Sequence, residues 1–183
     1  MKNRMKLPAK SKIALGIVAS VFVVAAYAFA GGDTGTSKRD PLVEQRLKTF
    51  DQLDFDYYSN QKWDHFNESH TDDVVVVWPD GRETKGLKAH IEDLKYQFTF
   101  APDTSIKVHP VKFGSGEWTA VIGEMTGTFS KPMVMPDGKT VQPTGKTFKI
   151  PMATIAHWKG DKFDKEYLFW DNQAFMKQIG LAK

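Results

Sequence analysis

Four titratable side chains stand among apolar neighbours, and each raises a question of chemistry. Asp171 follows Leu168, Phe169 and Trp170 at the end of a β-rich run. Desolvation among such residues raises a carboxyl's pKa toward neutrality, where a general acid or base works best. The same aspartate precedes Asn172 and is a favoured N-cap for a helix opening there. Asp54 and Tyr57 share one stripe with Val43, Leu47 and Phe50, spaced i, i+4, i+7, i+11 and i+14. A tyrosine hydroxyl so placed either holds a developing oxyanion or is packed as ordinary core. His90 lies on a second stripe with Leu87, Ile91, Leu94 and Phe98, as a proton shuttle or a satisfied core histidine. His65, His70, His90, His109 and His157 show no paired ligand spacing on one element, and no metal site is expected from them. The chain has no Cys, no Gly-rich phosphate loop and no nucleophile elbow.

The elements that must position these groups follow from periodicity. Asp40 and Pro41 read as the cap and first residue of a helix running through Tyr57. A short helix over 61–68 carries Trp63 and Phe66. "DDVVVVWPDGRE" at 72–83 is a strand ended by a Pro-Asp-Gly turn, with Trp78 at its end. A third helix follows Gly86. Strands are expected at 105–113, 117–130, 146–158 and 162–171, then a short helix at 172–179. Helices first and antiparallel strands after predict an α+β domain, with helices packed on one face of a curved sheet.

Strand alternation assigns the faces. Gly160-Asp161 reads as a two-residue hairpin turn, pairing Trp158 with Phe163, Thr154 with Tyr167, Met152 with Phe169 and Ile150 with Asp171. Ile150, Met152, Thr154, Tyr167, Phe169 and Asp171 then face the helices, while Ile155, His157, Asp164, Glu166, Leu168 and Trp170 face away. An outward patch of Ile155, Leu168 and Trp170 predicts a homodimer. Residues 131–145 form a long connection with Met133, Val134 and Met135 at its tip: a lid, a dimer contact or a surface excursion.

The start of the chain reads as an address. Lys2, Arg4, Lys6, Lys10 and Lys12 precede an uncharged run over 13–30 that ends in "AFA". This is the layout of a secretory signal peptide cut before Gly31, with an uncleaved membrane anchor as the alternative. The protein is expected to be exported, to the periplasm or beyond. Residues 31–40 read as a tether and 41–183 as one domain. The whole chain has 25 basic and 22 acidic residues, net +3. Without the five basic residues named above it has 20 against 22, net −2, which leaves no basic surface for nucleic acid.

"TGKTFKIPMATIAHWKGDKFDKEYLFWDNQAFMKQIGL" at 144–181 resembles the C-terminal signature of SnoaL-like proteins. "TDDVVVVWPDG", "KGLKAHIEDLKYQFTFAPD" and "GEMTGTF" stand in the order such proteins show, so the resemblance covers roughly 45–183. It implies the NTF2-like cone, shared with ketosteroid isomerases and polyketide ester cyclases. It also implies Asp171 as general acid and base on a carbon acid beside a carbonyl, with no cofactor. Tyr57 and His90 are the candidate helpers. Asp54, Trp63, Trp78, Phe129, Met152, Thr154, Tyr167 and Phe169 are the expected pocket residues. Many relatives carry His at the positions of Phe129 and Thr154, so this pocket has fewer polar partners. Three functions stay open: a cofactor-independent cyclase, isomerase or hydrolase acting on a small hydrophobic carbonyl or ester compound; a noncatalytic binder of a small hydrophobic molecule; or a domain serving association alone.

Overall fold

The computed structural model describes residues 40–183; the expected signal peptide and nearly all of the tether lie outside the described residues. Asp40 accepts from the Leu42 N–H at 2.8 Å and starts α1, Pro41–Gln52. Val43, Leu47 and Phe50 bury its inner stripe. The helix then widens into a π-helical turn over Leu53–Tyr58, and a 3₁₀ segment follows at Trp63–Glu68. The π turn has more residues per turn, so it rotates the side chains beyond Leu53 away from the phase an α-helix would give.

The strands are β1 (His70–Val77), β2 (Glu83–Lys85), β3 (Ser105–Ile106), β4 (Val111–Ser115), β5 (Trp118–Thr128), β6 (Met133–Val134), β7 (Thr140–Val141), β8 (Thr147–Lys159) and β9 (Lys162–Phe169). Helix α2, Leu87–Phe100, follows β2, and α3, Asn172–Gln178, follows β9. The main sheet has the order β2-β1-β9-β8-β5-β3, with β4 also on β5. It is antiparallel except that β1 runs parallel to β9. The helices pack on one face of this sheet, as the order of the elements predicted. The predicted strand at 105–113 is split into β3 and β4, with His109 and Pro110 between them.

One aromatic group closes the core between α1 and the sheet. Phe50 stacks on Phe163 at 5.0 Å, and Trp158 meets Phe163 edge-on at 4.7 Å. Burying side chains of this size contributes about 2–3 kcal/mol each. Arg46, only 4% exposed, reaches over Trp158 and donates to the carbonyls of Gly116 (2.7 Å) and Gly160 (2.6 Å). One α1 side chain thereby ties down the β4–β5 and β8–β9 turns.

The register of β9 departs from the alternation expected of it. Trp158 pairs with Phe163, as predicted, but His157 pairs with Lys165, so Asp164 is one residue too many. This β-bulge inverts everything beyond it. Thr154 pairs with Leu168 and Ala153 with Phe169. Glu166 and Leu168 point inward and are 4% exposed, whereas Phe169 points outward at 48%. The strand is apolar on both faces, so alternation could not reveal the slip.

Candidate functional site

A cleft of about 490 Å³ opens between α2, α3 and the inner face of the sheet. Tyr96, Gln97 and Phe100 of α2 form one wall, and Trp170, Phe175 and Met176 another. Met125, Ile150 and Met152 form the floor. The β6–β7 hairpin adds Met133 and Met135, held to α2 by the Tyr96 hydroxyl donating to the Val134 carbonyl at 2.7 Å. Of the seven methionines in the chain, Met1 and Met5 lie outside the described residues, and the other five all line this cleft. Thioether side chains adapt to irregular apolar ligands and contact aromatic rings favourably.

Polar groups gather at one rim. Trp78 Nε1 donates to Thr84 Oγ1 at 2.8 Å, and that hydroxyl donates to Asp93 Oδ2 at 2.5 Å. Arg82 donates to the same carboxylate oxygen at 3.1 Å, and its guanidinium lies over the Trp78 ring. Inside, the Tyr58 hydroxyl has Met125 Sδ, at 3.7 Å, as its weak partner. Burial and the charge of Asp54 push that phenol well above its ordinary pKa, so it is a neutral donor facing the cleft.

Two buried ionisable clusters lie deeper. His109 Nε2 lies 2.8 Å from Asp54 Oδ2 and its Nδ1 2.9 Å from Asp51 Oδ1, and Lys112 also pairs with Asp51. Burial pulls the His109 pKa down, but the two carboxylates outweigh it and hold the imidazole above its usual value. Burial raises the Asp54 carboxyl despite the imidazole beside it. The second cluster joins His70 of β1, His90 of α2 and Glu166 of β9, all nearly inaccessible. Glu166 Oε2 lies 3.4 Å from His90 Nε2 and 3.9 Å from His70 Nε2. Burial lowers the His90 pKa to about 4. Burial would raise the Glu166 carboxyl, but the two histidines more than offset this and leave it below its ordinary value.

The model of the SnoaL-like polyketide cyclases matches residues 49–179. The chain belongs to that family. Among solved structures, a Jannaschia sp. CCS1 protein assigned to the SnoaL-like polyketide cyclases superposes with a TM-score of 0.69 at 21% identity, over 80% of this chain and 99% of the other. IdmH, assigned as a polyketide cyclase from Streptomyces antibioticus, gives 0.64 at 19% identity, over 74% and 99%. A Catenulispora acidiphila protein with a ketosteroid isomerase-like fold, solved with trimethylamine, gives 0.59 at 11%, over 76% and 95%. A comparison with curated proteins gave no match. At these identities the superpositions establish the NTF2-like fold.

Within this SnoaL-like domain the residues named from sequence are dispersed. Trp78 and Met152 line the cleft. Tyr167 and Phe169 do not: the Asp164 bulge turns them to the outer face of the sheet. Asp171 is exposed, and its Oδ1 accepts from the Ala174 N–H at 2.9 Å as the N-cap of α3. The inward Asp171 expected from alternation is thus corrected by the same bulge. The Tyr57 hydroxyl is held outside the cleft by Gln52 and by Glu68 at 2.6 Å, which pushes it up to about 12. The π turn presents Tyr58 to the cleft instead. Asp54 is locked to His109, and His90 sits beside Glu166, behind Trp78. Trp63 packs on Phe98 and lines a separate surface groove on the other side of α2. Phe129 and Thr154 are inward but fully packed, outside the cleft lining. Met152 was an expected pocket residue, and Met133 and Met135 lay on the connection read as a lid or dimer contact; Met125, Met176 and the His70–His90–Glu166 cluster were not anticipated. The cluster's members come from three elements, so no local spacing joins them. The methionines did carry a signal, since none falls on α1 or α2.

Proposed function

We propose that this domain binds a small hydrophobic, ring-containing molecule in the methionine-lined cleft. The observation that carries this reading is the convergence of all five methionines of the described chain on one open cavity. A cavity of about 490 Å³ lies in the range of small-molecule sites. Its lining is apolar and aromatic, and its charged residues, Asp80, Arg82 and Asp93, are a small minority. Mass spectrometry of compounds extracted from protein purified from its native envelope is the direct test. A bound apolar molecule is expected, with affinity for hydrophobic dyes lowered at least about tenfold by Met152→Lys. A folded protein that carries no ligand and binds no such dye would end this reading.

A second reading, acid–base catalysis, draws on the Asp93 carboxylate fixed by Thr84 and Arg82 and on the Tyr58 hydroxyl. In a cyclase-like reaction Asp93 would take a proton from a carbon acid, and Tyr58 would donate to the developing oxyanion. Asp93→Asn should then cut turnover about 10²–10⁴-fold and leave affinity nearly intact.

The outer face of the sheet supports a homodimer. Phe113, Ala120, Ile155 and Tyr167 form one cross-strand row, and Val111, Ile122, Ala153 and Phe169 form the next. Phe113 is 60% exposed. Two adjacent apolar rows across four strands suit a second copy of the same face about a two-fold axis. Leu168 and Trp170, expected on that patch, lie on the other side; Tyr167 and Phe169 take their place. Export rests on residues 1–30, and N-terminal sequencing of envelope protein should begin near Gly31. A chain beginning at Met1 in the cytoplasm would refute it.

A further inference from the structure

The His70–His90–Glu166 cluster poses a bonding problem. His70 Nδ1 lies 3.0 Å from the Phe66 carbonyl and 2.9 Å from the Ser69 hydroxyl, so that nitrogen finds its partners on its own side of the ring. His70 Nε2 faces Glu166 Oε2 at 3.9 Å, beyond hydrogen-bond reach. Neither atom has a hydrogen-bond partner, and both are fully buried. His90 Nε2 completes the triangle from α2, and the three ligand atoms lie within 4.8 Å of one another. Three ligand-type atoms thus converge on one buried space, with His70 Nε2 and Glu166 Oε2 unpartnered, an arrangement that costs free energy unless something binds between them.

We propose that His70, His90 and Glu166 bind a divalent transition-metal ion of the zinc class. Two imidazoles and one carboxylate are a ligand set such ions take, with bonds near 2.0–2.2 Å. Ligands at that radius stand roughly 3–3.5 Å apart. The 3.4 Å contact already satisfies this; the 3.9 Å contact and the separation of the two imidazoles, within 4.8 Å, close by side-chain rotation. The contacts of His70 Nδ1 with the Phe66 carbonyl and the Ser69 hydroxyl are the outer-shell support a metal-bound imidazole requires, because they hold the ring and aim the other nitrogen. A bound ion would cross-link β1, α2 and β9, directly behind Trp78 of the cleft. It would also offset the charge that Glu166 places near the buried Asp54. The proposal does not depend on what the cleft binds.

The test uses tag-free protein stripped with chelator, dialysed against Co²⁺ or Zn²⁺ and assayed for metal per chain. One equivalent is expected, with the Co²⁺ form showing visible d–d absorption and both ions raising the melting temperature. Glu166→Gln should weaken binding at least about 100-fold. If that variant fails to fold by near-ultraviolet circular dichroism, His90→Gln serves in its place. A folded wild-type protein that takes up no stoichiometric metal overturns the proposal. So does uptake undiminished in a folded variant, which would place the ion elsewhere, for example at exposed His65 with Glu68 or at His157 with Asp164.

Discussion

The methionine cleft and the His109 cluster lie in one small domain and solve opposite problems. In the cleft, thioethers and rings leave space and place few demands on geometry. Around His109 there is little slack: both ring nitrogens are engaged by carboxylates from the α1–π segment, and a Cβ at the neighbouring Gly123 would touch the ring at 3.5 Å and crowd Ile106 at 3.1 Å. Substitution should be tolerated where packing is adaptable and punished where a buried charge depends on one partner.

The hardest test of that contrast is His109→Ala. It leaves Asp54, 7% exposed, without its imidazole. Breaking a buried pair from one side costs about 3–5 kcal/mol. Urea unfolding should show a loss of that size, against less than about 1.5 kcal/mol for Met152→Leu in the cleft. Equal losses at the two sites would erase the distinction.

Next in size is a pH effect. The folded His109 pKa is raised, so its contribution is complete below the unfolded value of about 6.5. It is lost as pH climbs through the folded value. The raised Asp54 works in the same sense, because its buried carboxylate is disfavoured as the proton leaves, but over a window that opens lower, near its ordinary value of 3.8. Stability should therefore decline above about pH 6.5, by at most ~1.4 kcal/mol per pH unit per proton. Asp51 and Lys112 also face this ring, and Asp51, whose pKa is lowered, weakens only in acid. In His109→Gln the alkaline decline should flatten; an unchanged slope would assign it to other groups.

A smaller perturbation probes the outer face. Phe169→Asp places a charge at the end of the second apolar row without touching the core. It should convert a dimer to monomer in light scattering while leaving ligand binding in place. If the wild-type protein is already monomeric at tens of micromolar (about tenfold above a weak dissociation constant), the homodimer is wrong.

The sequence was legible wherever one face of an element is apolar and the other is not. The α1 stripe, the inner face of β8 from Ile150 to Trp158, and the Gly160-Asp161 turn all followed from that asymmetry. It failed where both faces are apolar or where helix geometry changes. In β9, Tyr167 and Phe169 look as fit for the core as Leu168, and the extra residue Asp164 is invisible to a period of two. Along α1, the phase predicted Tyr57, and the π turn delivered Tyr58. Glu166 offered a clue of another kind. A carboxylate between Lys165 and Tyr167 reads as solvent-facing unless its partners are known, and those partners lie 96 and 76 residues away, at His70 and His90.

The smallest predicted effect concerns Asp171, where sequence and structure part most sharply. Its Oδ1 accepts from Ala174 N–H, and the side chain is exposed. Asparagine carries an amide oxygen in the same place and is an equally good N-cap. Asp171→Asn should therefore leave melting temperature, dye affinity and any turnover unchanged. Alanine keeps no acceptor, so Asp171→Ala should cost about 1 kcal/mol with the cleft intact. A proton-transfer base gives another pattern, because an amide cannot take a proton at neutral pH. Both variants would then lose turnover about 10²–10⁴-fold, and the Asn variant would do so at full stability. The comparison separates a residue that shapes the end of β9 from one that works beside it. Trp170 and Asn172, its chain neighbours, both line the cleft, so even a pure cap here fixes where two of its walls stand.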